Sequence, residues 1–252
     1  MSIQYHIQLK EGDVGRYVLL PGDPGRCEKI AAFFDDPQKI AQNREYTTYT
    51  GALLGEKVAV VSTGIGCPST AIAVEELIKI GADTFIRVGT SGGMQPGTET
   101  GEIAVVTAAI RDEGTTQHYL PLEFPAVADP AVVQALRQAA INLELPFRTG
   151  VSHSKDSFYG ETEKERMPLS DQLSARWEAW VQGGAICSEM EAAAIFIIAG
   201  IHRKRAGGVM MMVGKDKGLP KTEEGKRLFH GDRAIRTAIE ALKILIRQDR
   251  GE

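Results

Sequence analysis

Short apolar runs of strand type alternate along this chain with longer stretches of helical periodicity. The runs lie at residues 17–20, 57–62, 84–88, 103–106 and 208–213, and the helical stretches at 68–80, 130–142, 189–200 and 223–247. Such alternation predicts an α/β layer fold with a mixed or parallel sheet. The runs are continuously apolar, which is typical of strands that helices cover on both faces.

Length and composition favour a single domain. With 252 residues, 43% of them hydrophobic, the chain can bury one sizeable core. No linker rich in proline, serine or glycine divides it, and the sequence shows neither an internal repeat nor a low-complexity tract. We therefore predict one domain over residues 1–252.

Charge and apolar patterning exclude several classes of partner. The formal net charge of −4 gives no basic field for nucleic acid or an anionic membrane, so an anion must be held by a local cluster. The N-terminus lacks a signal-peptide pattern, and the longest apolar runs are too short to span a bilayer. Three scattered cysteines indicate buried thiols rather than a disulfide or zinc site. We expect a cytoplasmic protein that binds small molecules.

Two glycine-containing segments follow predicted strand ends. The segment 20–26, LPGDPGR, taken alone is best interpreted as a β-turn. The functional interpretation is that Gly22 admits an anion to the backbone while Arg26 supplies charged donors. The segment 62–70, STGIGCPST, runs from a strand into a helix with Pro68 near the first helical position. Its backbone N–H groups could bind phosphate or orient a sugar, although it matches neither the Rossmann nor the P-loop pattern.

Arg87 lies inside an apolar strand, in the segment 85–93, FIRVGTSGG. Burying a guanidinium is costly without an anionic partner. One interpretation is an ion pair with a buried carboxylate. The other is that Arg87 and the Thr90 hydroxyl bind a phosphate at the carboxyl end of the strand, where α/β folds bind ligands.

The segment 188–194, SEMEAAA, opens a predicted apolar helix with two carboxylates. Acidic residues in a first turn often only complement the helix dipole. Here Met190 stands between Glu189 and Glu191, immediately before an alanine-rich run. A carboxylate is also suited to accept hydrogen bonds from adjacent sugar hydroxyls, so both interpretations stay open.

Together these segments resemble the nucleoside phosphorylases of the hexameric type. The shared motifs, in the same order, are GDPGR (22–26), REYTTY (44–49), STGIGCPSTAIAVEEL (62–77), RVGTSG (87–92), PLEFPAVAD (121–129), DSFYG (156–160) and SEMEAAA (188–194). The stretches 62–77 and 121–129 resemble uridine phosphorylases more than purine relatives. The resemblance implies a three-layer α/β/α sandwich with a mixed, partly barrel-like sheet, assembled as a homohexamer, a trimer of dimers.

The resemblance also implies roles for individual residues. Phosphate would be held by Gly22, Arg26, Arg87, Thr90 and, from the neighbouring protomer, Arg44. Ribose would be held by Glu189, Met190, Glu191 and the neighbour's His6, a position that taken alone looks like part of a frayed terminus. A monovalent cation such as potassium would lie between subunits at Glu45, Ile65 and Ser69. No organic cofactor is implied, and phosphate is a co-substrate.

The base site departs from the pattern that the resemblance implies. Phe158 would stack on the uracil, with Ser91 and Gly92 lining the pocket. Relatives read uracil with a glutamine and an arginine after the Phe-Tyr pair. Here Arg166 can serve as the arginine, but Glu161 or Thr162 stands where the glutamine is expected. A glutamine both donates and accepts, whereas an ionised glutamate only accepts.

A second departure follows the last predicted strand, where the chain reads GKDKG at 214–218. Purine phosphorylases place a catalytic aspartate in this region. Asp216 is then either a displaced version of that aspartate or a solvated residue in a mobile flap.

The resemblance implies phosphorolysis of uridine to uracil and ribose 1-phosphate in nucleoside salvage. Arg87, Arg166 and Glu191 would be the catalytic residues, with the phosphate dianion attacking C1′ of an electron-poor ribose. The alternatives are a purine nucleoside phosphorylase, a hydrolytic nucleosidase and a non-catalytic nucleoside-binding protein. The arginines at 26, 44 and 87 argue against the hydrolase, which has no use for a dianion clamp.

Overall fold

The computed structural model describes residues 2–213 and 232–252. The strands are β1 (Tyr17–Leu20), β2 (Asp35–Asn43), β3 (Tyr46–Leu53), β4 (Glu56–Val61), β5 (Thr84–Gly93), β6 (Ile103–Asp112), β7 (Ala126–Val127), β8 (Phe147–Lys155), β9 (Cys187–Glu189) and β10 (Arg205–Val213). The helices are α1 (Gly25–Ala31), α2 (Cys67–Lys79), α3 (Pro130–Asn142), α4 (Phe158–Thr162), α5 (Ser170–Gln182), α6 (Ala192–Ile201) and α7 (Asp232–Arg250).

One mixed sheet contains all of these strands. Its order is β10-β6-β8-β9-β5-β1-β4-β3-β2, with β7 paired to β6. Strand β10 also pairs in parallel with β5, so β10, β6, β8, β9 and β5 form a closed ring. Strands β1, β4, β3 and β2 extend the sheet away from that ring. The predicted α/β fold with a mixed, partly barrel-like sheet is thereby confirmed.

Alternate side chains of the central strands enter two separate cores. Along β1, Val18 and Leu20 pack on one side, and Tyr17 and Leu19 pack on the other. Because successive side chains of a strand point to opposite faces, both faces of the sheet are apolar. Helices α2 and α6 cover the first face, and α1, α3 and α7 cover the second. The arrangement is the three-layer sandwich that the resemblance implies, and helices cover both faces of the strands, as the continuous apolar runs indicate.

Helix α6 is buried from its first residue, since every side chain from Ala192 to Ala199 lies in the core. A helix that is apolar all round belongs inside a protein. Its N-terminus, with Glu191 as the N-cap residue, therefore lies within the molecule. This placement brings the carboxylates that precede the helix next to the centre of the sheet.

Several element boundaries differ from the predicted ones. The helix predicted at 189–200 begins at Ala192, because Ser188 and Glu189 lie in β9, which pairs with both β5 and β8. The helix predicted at 223–247 is observed over Asp232–Arg250, and its first predicted residues lie outside the described ones. Strands β2, β3 and β8 and helix α5 were not predicted. Among the described residues, no helix is both long and apolar enough to cross a membrane.

Gly15, just before β1, lies against the backbone of Lys57 in β4, and this close approach predicts how a substitution at Gly15 changes stability. A Cβ atom on Gly15 would lie 1.9 Å from the backbone oxygen of Lys57. We expect Gly15→Ala to cost about 2 kcal/mol or more, because the backbone itself must move. Urea unfolding of the purified variants measures this change.

Gly200 in helix α6 is the matched control, since an added Cβ there has nothing within 4 Å. Gly200→Ala should raise the free energy of unfolding by up to about 1 kcal/mol, because alanine is the better helix former. Equal unfolding midpoints for the two variants would contradict the close approach at Gly15.

Candidate active site

The four segments that the sequence singles out meet at one place in the sheet. The amide of Thr63, after β4, donates to the Pro21 oxygen after β1 at 2.9 Å. The amide of Gly66 donates to Glu191 Oε1, before α6, at 2.6 Å. Arg87, in β5, forms an ion pair with the same Glu191. Loops distant in sequence therefore build one candidate site.

Arg87 lies between two buried carboxylates. Its Nε atom is 2.7 Å from Glu189 Oε2, and its Nη2 atom forms an ion pair with Glu191 Oε2. The three residues are 3–4% exposed. The ion-pair interpretation of Arg87 is therefore observed. Because Nε and Nη2 hold the carboxylates, the guanidinium is fixed in orientation beside the end of β5.

Glu189 is the most heavily hydrogen-bonded member of this group. It accepts from the amides of Glu191 at 2.8 Å and Ala192 at 2.9 Å, and from the Ser154 hydroxyl. Burial alone would raise the pKa of Glu189, but Arg87 and these donors together hold it below the usual value. Glu189 is therefore an ionised anchor that fixes Arg87 and the start of α6.

Glu191 differs from Glu189 in its electrostatics. Burial, with a contribution from the Glu189 charge, raises the pKa of Glu191 even though Arg87 opposes the shift. The positive charge of Arg87 compensates the negative charge of Glu189 fully and that of Glu191 only in part. Glu191 is thus the carboxylate that gains most from new hydrogen-bond donors, such as those of a ligand.

Two glycines shape the backbone beside Glu191. Gly64 has φ +72° and Gly66 has φ +99°, in the left-handed region that favours glycine. A Cβ on Gly64 would also lie 2.8 Å from Cγ of Glu45 and 3.2 Å from Oγ of Ser69. The structure therefore brings Glu45 and Ser69 together at Gly64, and the Ser69 hydroxyl donates to the Ile65 oxygen at 3.5 Å. Ile65, the third residue expected at the cation site, lies between the two glycines and is 77% exposed.

A second arginine lies close to Arg87. Arg26 is half-buried in α1 and donates from Nη1 to the Val88 oxygen at 3.2 Å. Burial, and then the neighbouring charge of Arg87, lowers the pKa of Arg26. Two guanidinium groups this close favour an anion between them. Thr90, half-buried three residues beyond Arg87 in β5, and Gly22, whose added Cβ would lie 3.1 Å from the Gly64 oxygen, flank the same region.

The residues expected from a neighbouring protomer lie on one surface of this chain. His6 is not frayed, as its position alone suggested, because its Nδ1 atom is 2.7 Å from Glu76 Oε1 and its amide also contacts Glu76. The side chain of Asn43 donates to the His6 oxygen at 2.7 Å. Arg44 follows, exposed at the tip of the β2–β3 hairpin with φ 52°.

The expected base-binding residues separate into two groups. Gly92 lies near Glu161, whose Oε1 would be 3.6 Å from an added Cβ, and Phe158 is 54% exposed at the start of α4. The hydroxyl of Thr162 donates to the Phe158 oxygen at 3.1 Å. Arg166 lies outside this group, since its side chain is 72% exposed and pairs with Glu163. Ser91 is buried in β5, and Met190 is half-buried between Glu189 and Glu191.

Sequence reasoning missed a polar cluster at the ends of β8 and β9. Lys155 Nζ is 2.8 Å from Glu161 Oε2 and 2.8 Å from Ser188 Oγ. His153 lies beside them, with Nε2 2.9 Å from Asp112 Oδ2. The signal was the charged sequence HSKD at 153–156, but without β8 its side chains could not be assigned to the site.

The three cysteines lie in the core of the protein, as the sequence predicts. Cys27, Cys67 and Cys187 are free and buried. Burial raises the pKa of the Cys27 and Cys187 thiols to about 12, so these groups stay protonated and act as small apolar side chains. Asp216 and the segment 214–218 lie outside the described residues.

Removal of the buried guanidinium should produce a pH-dependent loss of stability. In Arg87→Met, burial raises the pKa values of Glu189 and Glu191 above those of the unfolded chain. The free energy of unfolding of this variant therefore falls as pH rises through the raised values. In the unsubstituted protein, the lowered pKa of Glu189 instead adds stability above the ordinary carboxyl range. At neutral pH, we expect the free energy of unfolding of Arg87→Met to be about 3–5 kcal/mol lower than that of the unsubstituted protein. This deficit should shrink in acid.

Thermal unfolding between about pH 5 and pH 8 measures this deficit. Arg137→Met, on the exposed face of α3, is the matched control and should show little change at any pH. A deficit of equal size at every pH would mean that Arg87 acts through packing and not through charge.

Comparison with known proteins identifies the family of this chain. The model of the phosphorylase superfamily matches residues 16–247. A uridine phosphorylase of Treponema pallidum (strain Nichols) is 49% identical over 98% of this chain and 95% of its own. A uridine phosphorylase of Thermococcus kodakarensis is 44% identical over 98% of this chain and 88% of its own. A guanosine phosphorylase of Halorubrum lacusprofundi is 37% identical over 97% of this chain and 100% of its own. The chain belongs to the phosphorylase superfamily.

Proposed function

We propose that this protein is a uridine phosphorylase, a pentosyltransferase that converts uridine and phosphate into uracil and ribose 1-phosphate. The observation that carries the proposal is the buried group of Arg87, Glu189 and Glu191 beside Arg26. It offers cations for a phosphate and a carboxylate for sugar hydroxyls within one site. The uridine phosphorylases among the relatives support the choice of nucleoside.

Phosphate binds at the Arg26–Arg87 end of the site. The ion pairs occupy Nε and Nη2 of Arg87, which leaves the Nη1 donors for the phosphate. Arg26 approaches from α1, and the Thr90 hydroxyl and Gly22 amide complete the site. Charge-assisted hydrogen bonds from guanidinium groups are short and strong, so they hold a dianion in one orientation. Glu189 keeps Arg87 in place and does not need to touch the phosphate.

Ribose lies over Met190, with its 2′- and 3′-hydroxyls donating to Glu191. Each carboxylate oxygen has two lone pairs, so Glu191 can accept these donors in addition to Gly66 and Arg87. Hydroxyl donors stabilise the ionised form of a buried carboxylate, which offsets its desolvation. Ribose binding therefore completes the hydrogen bonding of Glu191.

The reaction follows from these positions. The C1′–N bond breaks ahead of attack, so positive charge develops on the ribose ring, and the phosphate dianion stabilises that charge before its oxygen bonds C1′. Uracil leaves with negative charge spread over its carbonyl oxygens. Phe158 stacks on the base, and Ser91 and Gly92 line its pocket. Glu161 and Thr162 are available to the polar edge of the base, whereas Arg166 must leave Glu163 to reach it.

The site is shared between subunits of a homohexamer. His6 and Arg44 lie close together on the exposed side of the β2–β3 hairpin, so one protomer can present both to a neighbour. His6 then contacts the ribose and Arg44 the phosphate. Glu45, Ile65 and Ser69 lie beside the same hairpin, where a monovalent cation such as potassium would join two subunits.

Residues 1–252 form one domain, supported by the single sheet, and the enzyme works in the cytoplasm.

A purine nucleoside is the second candidate substrate, because one relative is a guanosine phosphorylase. Base release from uridine, thymidine, inosine and guanosine, each with and without phosphate, separates the two. Phosphate-dependent uracil release is the expected result. Release of a purine base alone would show that the substrate is a purine nucleoside and not uridine. Release of base without phosphate would identify a hydrolase.

The phosphate assignment predicts a specific kinetic change in Arg26→Met. We expect the KM for phosphate to rise about 10- to 100-fold, because one charged hydrogen-bond donor is lost, while the KM for uridine changes little. Steady-state kinetics with each substrate varied in turn measures both constants. Lys29→Met, three residues along the exposed side of α1, is the control. Equal changes in both KM values would remove Arg26 from the phosphate site.

The shared site predicts complementation between two inactive variants. Arg44→Ala and Arg87→Ala should each abolish turnover as pure proteins. After the two are unfolded together and refolded, a mixed dimer contains one site with both arginines intact and one with neither. Random pairing then restores about a quarter of the normal activity. No recovery in hybrids shown by mass spectrometry to have formed would place Arg44 outside the neighbour's site.

A further inference from the structure

A buried carboxylate holds the side chain of His6. Glu76, in α2, is 7% exposed, and its Oε1 atom is 2.7 Å from Nδ1 of His6. Within residues 2–213 and 232–252, no lysine or arginine forms an ion pair with Glu76. A carboxylate buried away from cations is costly unless hydrogen bonds replace its hydration. Glu76 therefore depends on the donors of the segment around His6.

The backbone of this segment is anchored without the imidazole ring. Oε2 of Glu76 accepts from the amides of His6 at 3.0 Å and Ile7 at 2.9 Å. The side chain of Asn43 donates to the His6 oxygen, and Ile7 and Leu9 are fully buried. The bond between Glu76 and the imidazole thus adds control of the ring to a turn that is already held in place.

The opposite side of the ring faces outward. The His6 side chain is 29% exposed, and its neighbour Tyr5 is 71% exposed. Nε2 of His6 has no hydrogen-bond partner in the part of the chain that the structure describes. Since Nδ1 is held against buried Glu76, the ring presents Nε2 on the surface that the proposed function assigns to a neighbouring protomer.

The bond to Glu76 also sets the position of the imidazole proton. Both oxygens of Glu76 already accept a backbone N–H, because the His6 amide lies 3.2 Å from Oε1 and 3.0 Å from Oε2. A carboxylate only accepts, so Nδ1 carries the proton in its bond to Oε1. In the neutral imidazole, Nε2 is then a hydrogen-bond acceptor.

We infer that Glu76 is a positioning residue, which orients His6 and keeps its proton on Nδ1 so that Nε2 accepts from the 5′-hydroxyl of the nucleoside in the neighbouring site. Glu191 takes the 2′- and 3′-hydroxyls, which leaves the 5′-hydroxyl as the ribose donor for His6. A ribose held at both ends keeps C1′ aligned with the phosphate. The inference rests on the proposed function and on its shared site.

Glu76 therefore serves a different site from the start of its own helix. Helix α2 begins directly after Gly66, whose amide donates to Glu191 of the same protomer. Glu76 lies further along this helix and acts, through His6, on the neighbour's ribose. Damage transmitted along α2 would impair the protomer's own site, whereas loss of His6 positioning impairs the neighbour's site. The location of a defect thus separates a structural role from a positioning role.

The first part of the test uses Glu76→Gln and a substrate that can only donate. In this variant the amide oxygen keeps the backbone donors at the Oε2 position, so the amide nitrogen faces Nδ1 of His6 and donates to it. The imidazole proton then moves to Nε2. A 5′-hydroxyl can donate or accept, but the ammonium of 5′-amino-5′-deoxyuridine only donates. We expect its kcat/KM, relative to that of uridine, to fall about 10-fold or more, because a donor now faces a donor.

Glu75→Gln is the matched control. Glu75 precedes Glu76 in α2 but pairs with His202 at 3.2 Å, away from the N-terminal segment. This variant should leave the ratio of the two substrates unchanged. In a His6→Phe background, Glu76→Gln should cause no further fall in the ratio, because Glu76 acts through His6. An unchanged ratio in folded, active Glu76→Gln, or a further fall without His6, would overturn the inference.

The second part of the test locates the defect. Glu76→Gln and Arg87→Ala are unfolded together and refolded. A mixed dimer has one site with Arg87 intact, and that site receives His6 from the protomer whose Glu76 is intact. Random pairing should therefore raise turnover of 5′-amino-5′-deoxyuridine to about a quarter of the normal value. No rise in hybrids that mass spectrometry shows to have formed would place the defect in the protomer's own site, against the inference.

Failure of the proposed function is distinguishable from failure of this inference. If the unsubstituted protein releases no base from uridine, uridine phosphorolysis is wrong, and the 5′-hydroxyl assignment falls with it. Nitrogen NMR of the labelled histidines, with His6→Phe to identify the His6 signals, measures the imidazole proton without turnover. A proton on Nδ1 in the unsubstituted protein and on Nε2 in Glu76→Gln supports the positioning role. If base is released but both proteins carry the proton on the same nitrogen, only the inference fails.

Discussion

The buried Arg87 determines the arrangement of this site. A guanidinium inside an apolar sheet requires a negative partner, and the chain supplies two, from strand β9 and the N-terminus of α6. One cation facing two carboxylates leaves Glu191 with a raised pKa and incompletely stabilised. Apolar residues in place of this group would form a core at lower desolvation cost, so its presence argues for a ligand that completes the charge balance.

The fold around this group is arranged to hold it. β9 is only three residues long, but it pairs with both β5 and β8, which fixes the position of Glu189. Helix α6 then begins inside the protein, and its first amides donate to the Glu189 carboxylate. Because α6 is apolar on every side, it cannot shift outward without exposing its core residues. The site is therefore rigid where the phosphate and ribose would bind.

Sequence patterns predicted the layers and most of the central group, since continuous apolar strands and Arg87 within one of them require specific surroundings. The ion pair and the phosphate role were posed as alternatives, and the geometry allows both, because Arg87 has more donors than its carboxylates use. Strand β8, FRTGVSHSK, lacks a continuous apolar run, because polar residues occupy most of it, including His153 and Lys155 at its carboxyl end. Those same residues form the polar cluster, so the sequence departs from strand-like patterning where the side chains face a cleft.

The expected base-binding residues show why a single sequence position does not determine which base an enzyme binds. Glu161, considered alone, contradicts a uracil reader, because a carboxylate offers no donor. Lys155, the last residue of strand β8, lies six residues earlier in sequence, and its ammonium donor is 2.8 Å from the Glu161 carboxylate. Two ionised groups cost more to bury than one amide, but their mutual attraction offsets part of that cost. What must be matched in a binding site is therefore the set of donors and acceptors at the ligand, which different residues on different elements can provide.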